Sequence, residues 1–328
     1  MAAIGRLLGN RQNIDYISGA EAAGKLSHSF IISGERGSGK KTFAKYIARA
    51  LLCTGRRAVS DGACENCAAC TRTNAGSHPD LIMVTHEKET VLSVDEIRDQ
   101  IVNDVSVRPF YGPYRIYIVP DAHLMNDHGQ NALLKTIEEP PEYVLIFLLT
   151  ENEEMLLETI RSRCIKLNME RLSVLLTAEA LGGSAAMPAA AFSDGNLGRA
   201  KEIFENEDET EFIRSVEELM TGLKTADAVD ISEFSSRIEK ERAADTLETV
   251  KKWFVSVLLK KEGSGKNYFP HRNAQISSMA RSMSHESINN ILKACDEARE
   301  RLSANVKSDG VFENLFLAIR RYEQEKTW

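Results

Sequence analysis

The sequence predicts an α/β domain on a mostly parallel sheet, followed by a second half that is all helix. Three observations predict it. In the first half, short apolar and β-branched runs, "SFIIS", "DLIMVT", "YRIYIV", "YVLIFLLT" and "CIKLN", alternate with amphipathic stretches, the pattern of strands joined by helical crossovers. These runs show little apolar/polar alternation, as expected of strands covered on both faces. From about Glu207 onward, apolar residues recur at three- and four-residue spacing and the strand signal is gone.

Taking the elements in order, "SFIIS" leads into "GERGSGK" and then "KTFAKYIARALL", with Phe43, Ile47 and Leu51 on one helical stripe. Strand, glycine-rich turn and helix start are the context of a phosphate-binding loop. Gly34, Gly37 and Gly39 let backbone N–H groups around Ser38 approach a phosphate, the helix N-terminus adds partial positive charge, and Lys40 supplies a point charge. Hydrolysis needs more, because a hydroxyl and an acid must hold magnesium. Lys41 stands where that hydroxyl belongs, and Thr42 is one residue late, turned about 100° further round the helix. The acid expected after "YRIYIV" is replaced by Pro120, with Asp121 next.

Further on, Ser93 and Glu96 form a capping box ahead of the apolar stripe Val94, Ile97, Ile101 and Val105. Asn126 caps the helix in "NDHGQNALLKTIEEPPE", and Pro140 and Pro141 stop it near Glu139. After Asn168 the chain reads as a small helical unit of short turns, then as the longer helices "EFIRSVEELMTGL", "AADTLETVKKWFVSVLLKK", "SINNILKACDEARERL" and "VFENLFLAIRRYEQ". The expected domains are 1–168, 169–206 and 207–328.

At 328 residues and 43% hydrophobic, the chain can bury a core in each of two or three domains. A net charge of −7 gives nucleic-acid binding through overall electrostatics no support. No apolar run approaches the roughly 18 to 20 residues of a membrane span, and the N-terminus lacks a secretory core, so a cytoplasmic protein with no membrane partner is expected. Of six cysteines, Cys53, Cys64, Cys67 and Cys70 are spaced C-x10-C-x2-C-x2-C. Four thiolates at that spacing close a tetrahedral shell around zinc and leave no position for water, so the site is structural. His78 is an alternative ligand. Cys164 reads as a buried residue opening a strand rather than a nucleophile, and His123 and His128 as structural.

"SHSFIISGERGSGK", the four cysteines, "SHPDLI", "NALLKTIEEPPE", "TIRSRC", "SDGNLGRA" and "RLSANVKSDGVFENLFLAI" together resemble the clamp-loader subunits of bacterial DNA polymerase III. The resemblance implies an AAA+ parallel-sheet domain carrying a zinc module at 53–70, a helical lid at 169–206 and a helical collar at 207–328. The motor branch of the family, gamma/tau, ends the strand matching "YRIYIV" in Asp-Glu-x-His, where Pro120, Asp121, Ala122 and His123 stand here. The lid's sensor arginine falls at Gly198, with Arg199 one position off. With Lys41, three parts of a hydrolytic site are altered, which points to the delta-prime branch. A gamma/tau-like ATP-hydrolysing subunit is the alternative. What survives is the interface motif: Ser162, Arg163 and Cys164 match the family residue by residue, and Arg163 is the arginine that reaches in trans to a neighbour's ATP. The implied role is a subunit of the polymerase III holoenzyme without its own ATPase, with structural zinc as cofactor and ATP or ADP binding left open. The implied partners are gamma/tau and delta, with the sliding clamp and primed DNA reached through the complex.

Overall fold

A computed structural model describes residues 9–86 and 91–324. The chain divides between Arg171 and Leu172 into two compact units.

The first unit holds five strands, β1 (Ser29–Ser33), β2 (Leu81–Met83), β3 (Arg115–Val119), β4 (Val144–Thr150) and β5 (Ile165–Asn168). They form one sheet in the order β2-β3-β4-β1-β5, with every pairing parallel. Each observed strand lies inside the run that predicts it. The reason those runs lack alternation is visible in the packing. Phe30 and Ile32 point into one apolar layer with Phe43, Ile47, Leu51 and Phe147, while Ile31 points into the other with Tyr117, Ile146, Ile97 and Leu133. Both faces are covered, so both residue parities must be apolar. All seven residues of β4 are buried, and Phe30 stacks on Phe147 across the β1/β4 pair with centroids 5.3 Å apart.

The helices of this unit are α1 (Arg11–Ala22), α2 (Lys40–Leu52), α3 (Ala68–Asn74), α4 (Val94–Ile97), α5 (Asp127–Glu138) and α6 (Glu158–Arg161). The capping box forms as read: Ser93 accepts from the Glu96 N–H, and Glu96 accepts from the Ser93 N–H at 2.7 Å. Asn126 accepts from the Gly129 N–H at 2.8 Å, and α5 ends at Glu138, before the proline pair. The "SVDEIRDQIVNDV" stretch departs from a plain α-helix. After α4 it widens into a π-helical turn over Arg98–Val102, while Ile97 and Ile101 stay fully buried.

The second unit is helical throughout its described residues: α7 (Val174–Ala180), α8 (Met187–Phe192), α9 (Leu197–Glu205), α10 (Glu207–Gly222), α11 (Ala228–Ser236), α12 (Lys240–Lys261), α13 (Asn273–Ser282), α14 (His285–Ser303) and α15 (Ser308–Gln324). Trp253, Phe254, Phe269, Phe312 and Phe316 are fully buried at its centre. The loop between α12 and α13 is tied to α10 by a buried carboxylate, since Glu217 accepts from His271 Nε2 and Arg272 Nε, each at 2.9 Å. In "SDGNLGRA", Gly195 has φ +79°, and a Cβ there would lie 1.9 Å from the Leu172 carbonyl oxygen, so only glycine fits that crossing. Among the described residues, no single helix is long and apolar enough to cross a membrane.

Candidate functional site: phosphate loop, thiolate cluster and edge arginine

The loop from Gly34 to Gly39 joins the C-terminal end of β1 to the N-terminus of α2. Gly37 (φ +79°) and Gly39 (φ +88°) adopt the left-handed backbone that lets the chain double back, and the Ser38 N–H donates to the Glu35 carbonyl at 3.1 Å. Gly34 allows the close approach of its neighbours: a Cβ there would lie 2.8 Å from Met169 Cβ and 2.9 Å from Ser38 Oγ. Lys40 is buried, and its Nζ donates to the Gly34 carbonyl at 2.6 Å and the Glu35 carbonyl at 2.9 Å. Burial pulls this ammonium below the ordinary lysine range, opposed by the carboxylates of Glu151, Asp121 and Glu35 in that order. Lys41 and Thr42 are both exposed on α2. Asp121 sits in a left-handed conformation at φ 48°, ψ 42°, opening the turn Ala122–Leu124 after β3.

Glu151 is the loop residue that sequence reading missed. It follows β4, whose Thr150 pairs with Ser33 of β1, and the Gly34 N–H donates to Thr150 O at 3.1 Å. Its carboxylate lies 3.9 Å from Lys40 Nζ. A lateral strand pairing brings the two residues together, and no local motif announces it.

The second feature is the cysteine cluster, whose four sulfurs all lie within 4.8 Å of one another. The closer Sγ–Sγ pairs are Cys67–Cys70 at 3.4 Å, Cys53–Cys67 at 3.9 Å and Cys64–Cys70 at 4.0 Å. Zinc–sulfur bonds of about 2.3 Å put the corners of a regular tetrahedron about 3.8 Å apart, so the spacing fits zinc. None of the four is in a disulfide. The Cys64 N–H donates to Cys53 Sγ at 3.3 Å and the Cys70 N–H to Cys67 Sγ at 3.5 Å, contacts that favour thiolates. A Cβ on Gly55 would lie 2.9 Å from Cys64 Sγ, so a side chain there would push into the sulfurs. Zinc at this position would be held by Cys53, Cys64, Cys67 and Cys70 and would brace the connection between α2 and α3.

His78 is outside that ligand set. It is buried, and its Nδ1 accepts from the Asp80 N–H at 3.1 Å. The fully buried Asp80 carboxylate in turn accepts from the N–H groups of Phe110 and Tyr111 at 2.7 and 2.8 Å. The Arg72 guanidinium covers the Tyr111 ring at 4.0 Å, which sets an aromatic residue distant in sequence beside the cysteine-bearing stretch.

Arg163 lies on the surface between α6 and β5. It pairs with Glu138 at 3.0 Å and donates to Thr159 O at 3.0 Å and Ser162 Oγ at 3.3 Å. Ser162 Oγ donates to Thr159 O at 3.1 Å. Register fixes where Arg163 stands: Ile165 pairs with Phe30 and Asn168 with Ser33. Arg163 therefore lies beyond the N-terminal end of β1, whereas Gly34 and Lys40 follow its C-terminal end. At roughly 3.3 Å per residue, the backbones of Arg163 and Gly34 are on the order of 20 Å apart along the strand direction. Cys164 is buried, its thiol pushed up to about 12 by desolvation, which suits packing rather than nucleophilic chemistry. In the second unit, Arg199 is held by Asp245 and lies over the Phe192 ring at 5.2 Å.

A sequence profile of the family described as "DNA polymerase III, delta subunit" matches residues 9–173, half of the chain. The chain belongs to that family. Among curated relatives, DNA polymerase III subunit gamma of Buchnera aphidicola subsp. Schizaphis graminum is 33% identical over 168 residues, covering 51% of this chain and 45% of that protein. DNA polymerase III subunit tau of Bacillus subtilis is 38% identical over 149 residues, covering 45% of this chain and 26% of the relative. The matched segment thus spans less than half the length of these relatives. Among solved structures, a DNA polymerase III gamma subunit-related protein of Thermotoga maritima aligns over 96% of this chain and 98% of its own at 17% identity, with a TM-score of 0.39.

Proposed function

We propose that the chain is a delta-prime-like subunit of the DNA polymerase III clamp loader, a non-hydrolysing member that presents Arg163 to ATP held by a neighbouring subunit. What carries the proposal is the position of Arg163 at the end of the sheet remote from the chain's own phosphate loop. From there the guanidinium serves a nucleotide on another chain and not its own. Its role is electrostatic: a planar, permanently charged group offsets negative charge building on a transferring phosphoryl group. Ser162, bonded to the same Thr159 carbonyl, is a positioning residue for that arginine. Loss of hydrolysis rests on Lys41 in the place of the magnesium-holding hydroxyl, on Thr42, exposed one residue further along α2, and on Pro120 in the place of the acid directly after β3.

The further parts of the reading are a zinc module at 53–70, a lid at 169–206, a collar at 207–328, gamma/tau and delta as neighbours, and the sliding clamp and primed DNA as what the complex handles. Replacing Arg163 by Ala in the reconstituted complex is expected to lower clamp- and DNA-stimulated ATPase by about 10³-fold or more per affected site, with the isolated chain still folded. Unchanged ATPase would remove the assignment.

The second reading is an ATP-hydrolysing, gamma/tau-like subunit, favoured by the names of the relatives. Magnesium-dependent phosphate release by the isolated chain, abolished in Lys40→Ala, would establish it in place of the first.

A further inference from the structure

We infer that Glu151 is an internal anion that decides whether the phosphate loop takes a nucleotide. This goes beyond the arginine assignment and does not depend on it.

The inference starts from how Glu151 is held. Thr150, fully buried, accepts the Asn152 N–H on its hydroxyl at 3.1 Å and donates that hydroxyl to Asn152 O at 2.8 Å. This small closed turn fixes the bend at Glu151. One residue earlier, Thr150 O accepts the Gly34 N–H, so the bend is anchored to the first residue of the loop. Glu151 therefore faces Lys40 because the backbone puts it there.

An exposed carboxylate beside a lysine is ordinarily a weak surface pair. Lys40 differs, because its side chain is only 10% exposed. An ammonium has three N–H groups, and two of these donate to the loop's own carbonyls. The 3.9 Å contact with Glu151 sets a carboxylate beside what remains of its charge, and Asp121 adds a second carboxylate acting on the same ammonium. A phosphate entering the loop needs that ammonium and would lie beside Glu151, where like charges repel. The glycine geometry and the α2 N-terminus favour an anion, and Glu151 opposes it. The loop is shaped for phosphate, and of the carboxylates acting on Lys40, Glu151 weighs most against an incoming anion.

The test uses the full-length chain and N-methylanthraniloyl-ADP, followed by fluorescence anisotropy with and without magnesium. Glu151→Gln keeps the shape and removes the charge, and Glu151→Ser is the second variant should the first misfold. Each is expected to bind at least about fivefold more tightly than wild type, with the gain lost in the Glu151→Gln/Lys40→Ala double variant. A smaller gain, or one that persists without Lys40, overturns the inference. Arg163 is untouched in every variant, so failure here leaves the trans-arginine assignment standing, and the reverse holds for the ATPase experiment.

Discussion

Arg163 spends its guanidinium on Glu138, Thr159 and Ser162, yet both it and Glu138 are more than 40% exposed. A pair of that kind contributes about 0–1 kcal/mol, so the arginine can leave it at little cost. Arg163→Ala should accordingly change chemical-denaturation stability by less than about 1 kcal/mol, which separates its proposed action on a neighbour's ATP from any part in folding. Glu323 gives a pH signature of opposite character. Burial lifts its carboxyl to about 7 from an ordinary 4.5. The folded chain keeps a proton that the unfolded chain gives up, so this group's contribution is greatest below pH 4.5 and is lost as pH rises through 7. Glu323→Gln should flatten the fall in melting temperature between pH 5 and pH 8. Residues whose chemistry depends on neighbours in sequence, such as Lys40, Lys41 and the cysteines, were legible without a structure. Glu151 was not, because 111 positions separate it from its partner Lys40 and only a strand pairing joins them.

The strands were the most legible elements, since runs apolar at both parities have few other uses than a sheet covered on both sides. The capped helices followed from Ser93, Glu96, Asn126 and the proline pair. Less legible were α1 and α3, whose apolar residues are few, and the π-helical turn at Arg98–Val102, which inserts a local register change that helical spacing does not reveal. Phe43→Ala in α2 removes a fully buried ring between helix and sheet and should cost about 3–5 kcal/mol, measured by denaturant unfolding of the first unit. Gly195→Ala should destabilise the second unit by about 2 kcal/mol or more, since the methyl would occupy the place of the Leu172 carbonyl and the backbone would still need a positive φ. Sequence marked that glycine as part of a motif, but the carbonyl crossing beneath it required coordinates.

Across the whole molecule, the six cysteines fall into two chemical classes. Cys53, Cys64, Cys67 and Cys70 share one cluster, whereas burial pushes Cys164 and Cys295, one in each unit, up to about 12. Titration with an aromatic disulfide reagent at pH 8 should therefore find four thiols after chelation, and the other two only when the chain is unfolded; four reactive thiols without chelator would argue against bound metal. The layout of the sheet carries a consequence for assembly. Arg163 and the phosphate loop stand at opposite ends of β1 and β5, so copies stacked side by side with their strands parallel would set the arginine of one and the loop of the next on different levels, whereas copies related by a two-fold axis across the strands would bring them level. On the proposed role, a row in which each chain serves the next one's nucleotide, and is served by the one before, is joined head to tail and has a polarity. On the proposed role, a chain that lends its arginine forward and takes no nucleotide in its own loop has nothing to gain from a lender behind it, and its natural station is the terminus at which such a procession begins.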